Sequence, residues 1–596
     1  MSALQVEKKK PIWRLHFVFI VILSLLSIVA WKVLDLQVIN NETLQMQGDA
    51  RTVRNYEISA HRGNILDRNG QPLAISTPVK SLVLNPKEIL QYPGQWDQFA
   101  AAMLNIDVNP EVLHNRIQEN ASREFMFIKR RIPPLEADQV LEYNFNGVWA
   151  EEEYKRYYPL GEVAVHVIGM TNSDEVGQEG IELAYDDWLE GTPGSKQVLK
   201  DRNGAIIREV KINEVAEPGN DLILSIDSQI QFLAYKALKE EVTRRYANAG
   251  TAVVLNVETG EILAMVSQPS FNPNNRINLQ LDSLKNRAIA ESLEPGSTVK
   301  TFTVTAALET GLFDTESIID TGPGYIRVDR STTIEDPVNY GESTLERILS
   351  KSSQVGASLI GLKMGQEPML DILRRVGFGQ SPGTGFPGES PGMLVDRTRW
   401  SNSEIATLAY GYGFRVSPLQ LAQAYMVYAN GGIFKPVSLL KIEDPDEVLG
   451  VRVISEEHTA SVTQMLEAVV TPGGGGTGMR AYIPSHRVAG KTGTVWFWDV
   501  QTGDYDKENY ISLFAGFSPV SDPKIVTVIT IHEPQGEEYG GGQVAAPVFA
   551  NITAGALRVL NVPPEIISNA SESLSLSEFI SPGTQPSLAR NSGDGQ

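Results

Sequence analysis

Residues 250–267 read GTAVVLNVETGEILAMVS, two apolar runs on either side of Glu258-Thr259-Gly260. Runs of this kind around a glycine-containing turn predict a β-hairpin. Upstream, AEPGNDLILSIDSQIQFLAYKALKEEV (216–242) places a Pro-Gly turn before an apolar strand, DLILSI. A helix follows, begun by Asp227 or Ser228 and carrying apolar residues at helical spacing. Strand chemistry returns far downstream in ISLFAGFSPV (511–520) and PKIVTVITIH (523–532). Strands at both ends of a stretch whose middle reads as helix predict one sheet closed by the two ends of a domain. The expected fold is therefore α/β (α+β) with helical insertions, over residues 216–565.

Ahead of that domain, residues 36–215 mix short strand-like runs with charged helical stretches such as EADQVLEYNF (136–145). A mixed α+β N-terminal domain is expected there. Within it, HRGNILDRNGQPLAIS (61–76) predicts a strand pair, because Gly70 supplies a residue able to take positive φ between the apolar runs. At the start of the chain, Lys8, Lys9, Lys10 and Arg14 precede LHFVFIVILSLLSIVAW (15–31), a run without Asp, Glu, Lys or Arg. With its neighbours the run approaches the ~20 residues that span a bilayer. Residues 12–35 are expected to form a single uncleaved transmembrane helix, with 1–11 as a cytoplasmic tail and the acidic body outside. A cleaved signal peptide is the competing reading, against which no small-residue cleavage site follows. Residues 566–596, rich in Ser, Gly and Pro, are expected to be disordered.

Composition removes whole classes of function. A chain of 596 residues holds two or three domains. Its net charge of −21, with no basic stripe beyond the first residues, excludes a nucleic-acid surface. The absence of cysteine excludes thiolate nucleophiles, thiolate metal sites and disulfides. The seven histidines include no helical His-x-x-x-His pair, so no metal is expected. The loop PGGGGTG (472–478) is not followed by Gly-Lys-Ser/Thr and is no phosphate cradle.

Chemistry-bearing residues gather in three short stretches. In SLEPGSTVKTFTVTAALETG (292–311), Ser297 opens a helix and reads first as an N-cap. Lys300, however, stands at i+3 on the same helix face, in a first turn whose dipole disfavours cations. Buried there, its amine loses basicity and can take the proton of the Ser297 hydroxyl. In RVAGKTGTVWFWD (487–499), Lys491, Thr492, Gly493 and Thr494 read either as a strand edge with a glycine bulge or as a carboxylate-binding edge beside a backbone N–H. SKSSQVG (350–356) reads either as the capped start of a helix or as part of an active site.

In chain order, STVK (297–300), SSQ (352–354) and KTGT (491–494) resemble the three motifs of penicillin-binding proteins and serine β-lactamases. The likeness extends through HRGNILDRNGQPLA, YYPLGEVAVHVIGMTN, GQEGIELAYDDWLEGTPG, YGYGFRVSPLQLAQAY, LFAGFSPVSDPKIVTVITIHEP and YGGGQVAAPVF. It covers about residues 12–560 and is closest to the class B penicillin-binding proteins of the FtsI, or penicillin-binding protein 3, type. The resemblance implies a serine β-lactamase/transpeptidase-like catalytic domain on an elongated N-terminal pedestal of the dimerisation type. It implies a peptidoglycan D,D-transpeptidase of septal wall synthesis, inhibited by β-lactams, in the bacterial inner membrane with its catalytic domain periplasmic. Ser297 would be the nucleophile, Lys300 its general base and Ser352 a proton relay. The N–H groups of Ser297 and Thr494 would form an oxyanion hole. Lys491, Thr492 and Thr494, beside Gly493, would hold the terminal carboxylate of a stem peptide. No cofactor is implied, and the partners would be an FtsW-type glycan polymerase and other division proteins.

Two departures from the family pattern stand out. Gln354 occupies the place where the middle motif ordinarily ends in Asn, adding one methylene, ~1.5 Å, to the amide's reach. Val495-Trp496-Phe497-Trp498 replaces small or basic residues, and reads as sheet packing or as an apolar wall beside the cleft. A D,D-carboxypeptidase or β-lactamase-like hydrolase shares the three motifs. A non-catalytic division scaffold is the third reading, supported only by Gln354.

Overall fold

The computed structural model describes residues 13–40, 53–200, 206–395, 397, 399–499 and 504–565. The expected tails at 1–11 and 566–596 lie outside these residues. Helix α1 (Trp13–Leu34) has no buried residue. Its 22 residues give a length of about 33 Å, against ~30 Å for a bilayer's hydrocarbon core. By length and composition this helix can cross a membrane.

The chain divides into two units, each drawing on more than one stretch of sequence. The first takes residues 1–63, 75–157 and 187–220. There the strand Pro72–Leu84 pairs antiparallel with Met126–Ile132 and with Val148–Tyr157. Helices Trp96–Leu104, Pro110–Glu119 and Pro134–Leu141 bring Phe99, Met103, Leu113, Ile117 and Val140 into one core with Leu82, Leu84 and Ile128. A second sheet joins Val53–Ile58, Gly194–Lys200 and Ile206–Glu214.

The second unit takes residues 64–74, 158–186 and everything from 221. Its centre is a five-stranded antiparallel sheet of β1 (Ala249–Asn256), β2 (Ile262–Gln268), β3 (Ala489–Asp499), β4 (Asp504–Ser518) and β5 (Ile525–His532). The order across the sheet is β2-β1-β5-β4-β3. The hairpin that begins the domain thus lies beside the strand that comes last, as the repeated strand chemistry predicts. Every residue of β2 and β5 is buried, which requires cover on both faces. That cover includes α2 (Ser228–Arg244), α6 (Pro418–Ala429) and α7 (Ala545–Val559), all packed on the sheet. Asp227 caps α2, accepting from the N–H groups of Gln229 and Ile230.

DLILSI departs from its expected strand: only Leu222–Ile223 pairs as one. The N–H groups of Leu224, Ser225 and Asp227 go to the carbonyls of Leu66, Leu439 and Leu263. Three different segments supply those acceptors, so no continuous ladder forms. The predicted turn at 61–76 does form, with Ile65–Leu66 antiparallel to the start of the strand at Pro72 and Gly70 at φ 80°.

Candidate active site

Three elements bring the motifs together. A turn at Gly296–Val299 leads into α3 (Lys300–Glu309), in which Lys300 through Leu308 are all buried. Next, α4 (Leu345–Lys351) ends and α5 (Gln354–Met364) begins with only Ser352 and Ser353 between them. Finally, β3 forms one edge of the sheet and carries residues 491–494. The turn at 296–299 packs on β3, and Gly493 permits it: a Cβ there would stand 3.1 Å from Thr298 Cγ2 and 3.2 Å from the Pro295 carbonyl oxygen.

Ser297 is half-buried within the turn and does not cap the helix with its side chain, contrary to the simplest sequence reading. It lies inside the first turn rather than ahead of it. Its carbonyl accepts the Lys300 N–H, and its hydroxyl makes no hydrogen bond among the described residues.

Lys300 and Lys491 are both wholly buried. The Lys300 amine donates to the Ser352 carbonyl at 2.5 Å and to the Ser352 hydroxyl at 3.3 Å. From β3, Lys491 Nζ donates to the same hydroxyl at 3.0 Å and to the Thr492 carbonyl at 3.1 Å. Ser352 Oγ therefore bridges two amines from different motifs, and a hydroxyl has two lone pairs to offer them. Burial pushes the Lys300 amine down to about 7, with the Asp336 carboxylate acting the other way. Burial lowers Lys491 well below the usual lysine range, and the Lys300 charge adds to it. Near neutral pH, Lys300 is poised between ammonium and neutral amine.

The capped helix start in SKSSQVG is supplied by the second of its two adjacent serines. Ser353 is the N-cap of α5, accepting from Gly356 N–H at 2.8 Å, while Ser352 faces the lysines. Gln354 is the first residue of α5 and half-buried, and its side-chain amide has no hydrogen bond among the described residues.

Thr492 and Thr494, two apart, share a face of β3. Thr492 Oγ1 lies 2.8 Å from Thr477 Oγ1, and Thr494 Oγ1 accepts the Gly541 N–H at 3.0 Å. A Cβ at Gly541 would stand 2.2 Å from the Gly493 carbonyl oxygen, so only glycine allows this approach. The irregularity in β3 falls between Trp496 and Phe497, not at Gly493.

Of Val495-Trp496-Phe497-Trp498, the Trp498 side chain lies outside what the structure describes, which leaves Val495, Trp496 and Phe497. Val495 packs into the core, whereas Trp496 is 39% exposed. All three line a cavity of about 480 Å³ with Tyr505 and Glu294. Tyr505 donates to both Glu294 oxygens, at 2.9 and 2.8 Å, and burial raises the Glu294 carboxyl.

Sequence reading missed Asp336, Thr477 and the Glu294–Tyr505 pair. Thr477 lies in the glycine-rich loop, where only its place before the KTGT strand hinted at the cleft. Asp336 lies 16 residues before Ser352 in a segment without periodic signal. Among the described residues no cluster of His, Asp or Glu could hold a metal ion.

Residues 250–554 match the penicillin binding protein transpeptidase domain, and 57–224 the penicillin-binding protein dimerisation domain. The chain is 39% identical over 563 residues to the peptidoglycan D,D-transpeptidase FtsI of Escherichia coli (strain K12), covering 93% of each. Its fold is similar to that of penicillin-binding protein 3 from Mycobacterium tuberculosis, solved with aztreonam, at TM-score 0.66 and 28% identity over 86% of this chain and 98% of that one. The transpeptidase domain of Burkholderia pseudomallei penicillin-binding protein 3 is similar at TM-score 0.52 and 38% identity, over 58% of this chain and 98% of its own. With both domain types in order and near-complete coverage, the chain belongs to the penicillin-binding protein transpeptidase family.

Proposed function

We propose that this protein is a membrane-anchored serine D,D-transpeptidase that cross-links peptidoglycan stem peptides in septal wall synthesis and is covalently inhibited by β-lactams. The observation that carries the reading is the Ser352 hydroxyl bridging two buried lysine amines, with an unbonded Ser297 hydroxyl one turn before Lys300.

In that reaction Ser297 Oγ attacks the penultimate D-alanyl carbonyl, and its proton passes to the neutral amine of Lys300. Lys300 donates its hydrogen bonds to Ser352 rather than to Ser297, and such contacts often tighten only when substrate binds. The N–H of Ser297 lies in a first turn, where a helix offers it no partner. With the N–H of Thr494 it forms the oxyanion hole, at ~3 kcal/mol per donor. The carbon–nitrogen bond then breaks, and the terminal D-alanine leaves with a proton relayed through Ser352. Lys491, Thr492 and Thr494, next to Gly493, hold its carboxylate, and the Gln354 amide holds the acyl amide. An amine of a neighbouring stem peptide attacks the ester and returns the proton to Ser297.

The reading places the chain in the bacterial inner membrane, with residues 1–11 cytoplasmic, 12–35 spanning, and the pedestal (36–215) and catalytic domain (216–565) periplasmic. The basic residues before α1 and the acidic body after it support that orientation. An FtsW-type glycan polymerase and other division proteins are the partners it implies.

The test is to label the full-length protein in detergent with a fluorescent penicillin and chase with unlabelled drug. A persistent adduct is expected. Rapid release of hydrolysed penicillin would mark a β-lactamase-like hydrolase, and no adduct would mark a scaffold. Gln354→Asn is expected to change the acylation rate by less than about tenfold, because the Gln354 backbone is already fixed and its amide unengaged. A gain near 10²-fold, typical of correcting a ~1 Å misplacement, would show that glutamine compromises the site.

A further inference from the structure

We propose that Asp336 is a positioning residue of this site: it fixes the Ser352–Gln354 turn against Lys300 and supplies a carboxylate charge that acts on the buried Lys300 amine. The inference rests on the function proposed above.

The middle motif is a joint between two helices, and the joint is strained. Ser352 sits at φ 59°, ψ 38°, left-handed backbone that is unfavourable for a non-glycine residue. In this conformation one residue presents both its carbonyl and its hydroxyl to Lys300. Asp336 pins the far side of the joint. Its Oδ2 accepts from the Ser353 hydroxyl, and its Oδ1 accepts from the N–H groups of Gln354 at 2.6 Å and Val355 at 3.3 Å. Asp336 is itself held, its N–H donating to the Gly324 carbonyl at 2.9 Å, at the end of strand Thr333–Glu335. These bonds of Asp336 all fall within the three residues after Ser352.

Capping alone does not call for a carboxylate here, since Ser353 already supplies an N-cap oxygen. What the carboxylate adds is charge. The charges that act on one another here are Lys300, Lys491 from β3 and Asp336, just past strand Thr333–Glu335, and both Asp336 and Arg347 act on Tyr340. Burial works against the Lys300 ammonium and Asp336 works for it. Removing the charge while keeping the acceptor oxygen should let Lys300 lose its proton at lower pH. Removing the whole group should also release the Ser352 turn.

The experiment compares wild type, Asp336→Asn and Asp336→Ala, full-length in detergent, by the rate of acylation with a fluorescent penicillin from pH 5 to 9. Asp336→Asn keeps an oxygen for the Gln354 and Val355 N–H groups. Its acid limb is expected to move down by about one pH unit, the effect of one nearby charge, with the plateau rate within a few-fold of wild type. Asp336→Ala is expected to show the same shift and a plateau lower by about tenfold or more. The midpoint comes from the shape of the profile and does not depend on how much protein is folded. An unmoved midpoint in Asp336→Asn, or a wild-type plateau in Asp336→Ala, would overturn the proposal. Failure of the wild type to label at all would instead remove the proposed function on which it rests.

Discussion

Ser297→Ala is expected to abolish covalent labelling by penicillin while leaving the fold intact. The substitution removes a single oxygen that makes no hydrogen bond among the described residues, at a half-buried position in a short turn. A change of that kind typically alters stability by less than about 0.5 kcal/mol. Loss of label in a variant with an unchanged melting temperature therefore reports chemistry alone. Label retained at the wild-type rate would place the nucleophile elsewhere.

The second large effect concerns Lys300. Lys300→Ala is expected to slow acylation by about 10²–10⁴-fold, the usual contribution of a positioned general base. In wild type the same residue should govern the pH profile. The neutral amine is the form that takes the serine proton, and burial puts its midpoint at about 7. Acylation should therefore fall roughly tenfold per unit of pH below that midpoint and level off above it. Rates followed from pH 5 to 9 check both statements. A flat wild-type profile between pH 6 and 8, or a Lys300→Ala rate near wild type, would remove Lys300 from the base role.

The two effects locate what was legible in the sequence. The hairpin at 250–267 and the strands at 511–532 were readable because alternation and glycine turns are local properties of a chain. Closing the sheet from both ends followed from their placement. STVK, SSQ and KTGT each left a structural reading open, and stood out only as an ordered set through their resemblance to a known family. Asp336 and Thr477 were not readable, since an aspartate or threonine in a loop acquires a role only when folding brings another segment to it. Ser297 shows the same limit at short range. Composition allowed a cap, and only the position of the turn relative to α3 shows that the hydroxyl is left for something else. DLILSI misled because burial and apolar content do not supply a single neighbouring strand to pair with.

The same distinction applies to Gln354. Sequence comparison sees an extra methylene, whereas the structure shows an amide at the first position of α5 with its backbone fixed by Asp336. Whether glutamine matters is thus a question about reach from a fixed point. The Val495–Phe497 segment is similar: Val495 packs into the core, yet all three residues border a cavity beside Glu294.

Mass-spectrometric mapping of the penicillin adduct tests the central claim most directly. Trypsin should release Ser297 in the peptide AIAESLEPGSTVK, residues 288–300, with Ser292 and Thr298 as its other hydroxyls. The account predicts one penicilloyl group, on this peptide and at Ser297. An adduct on the peptide containing Ser352, on any other residue, or on none would contradict it.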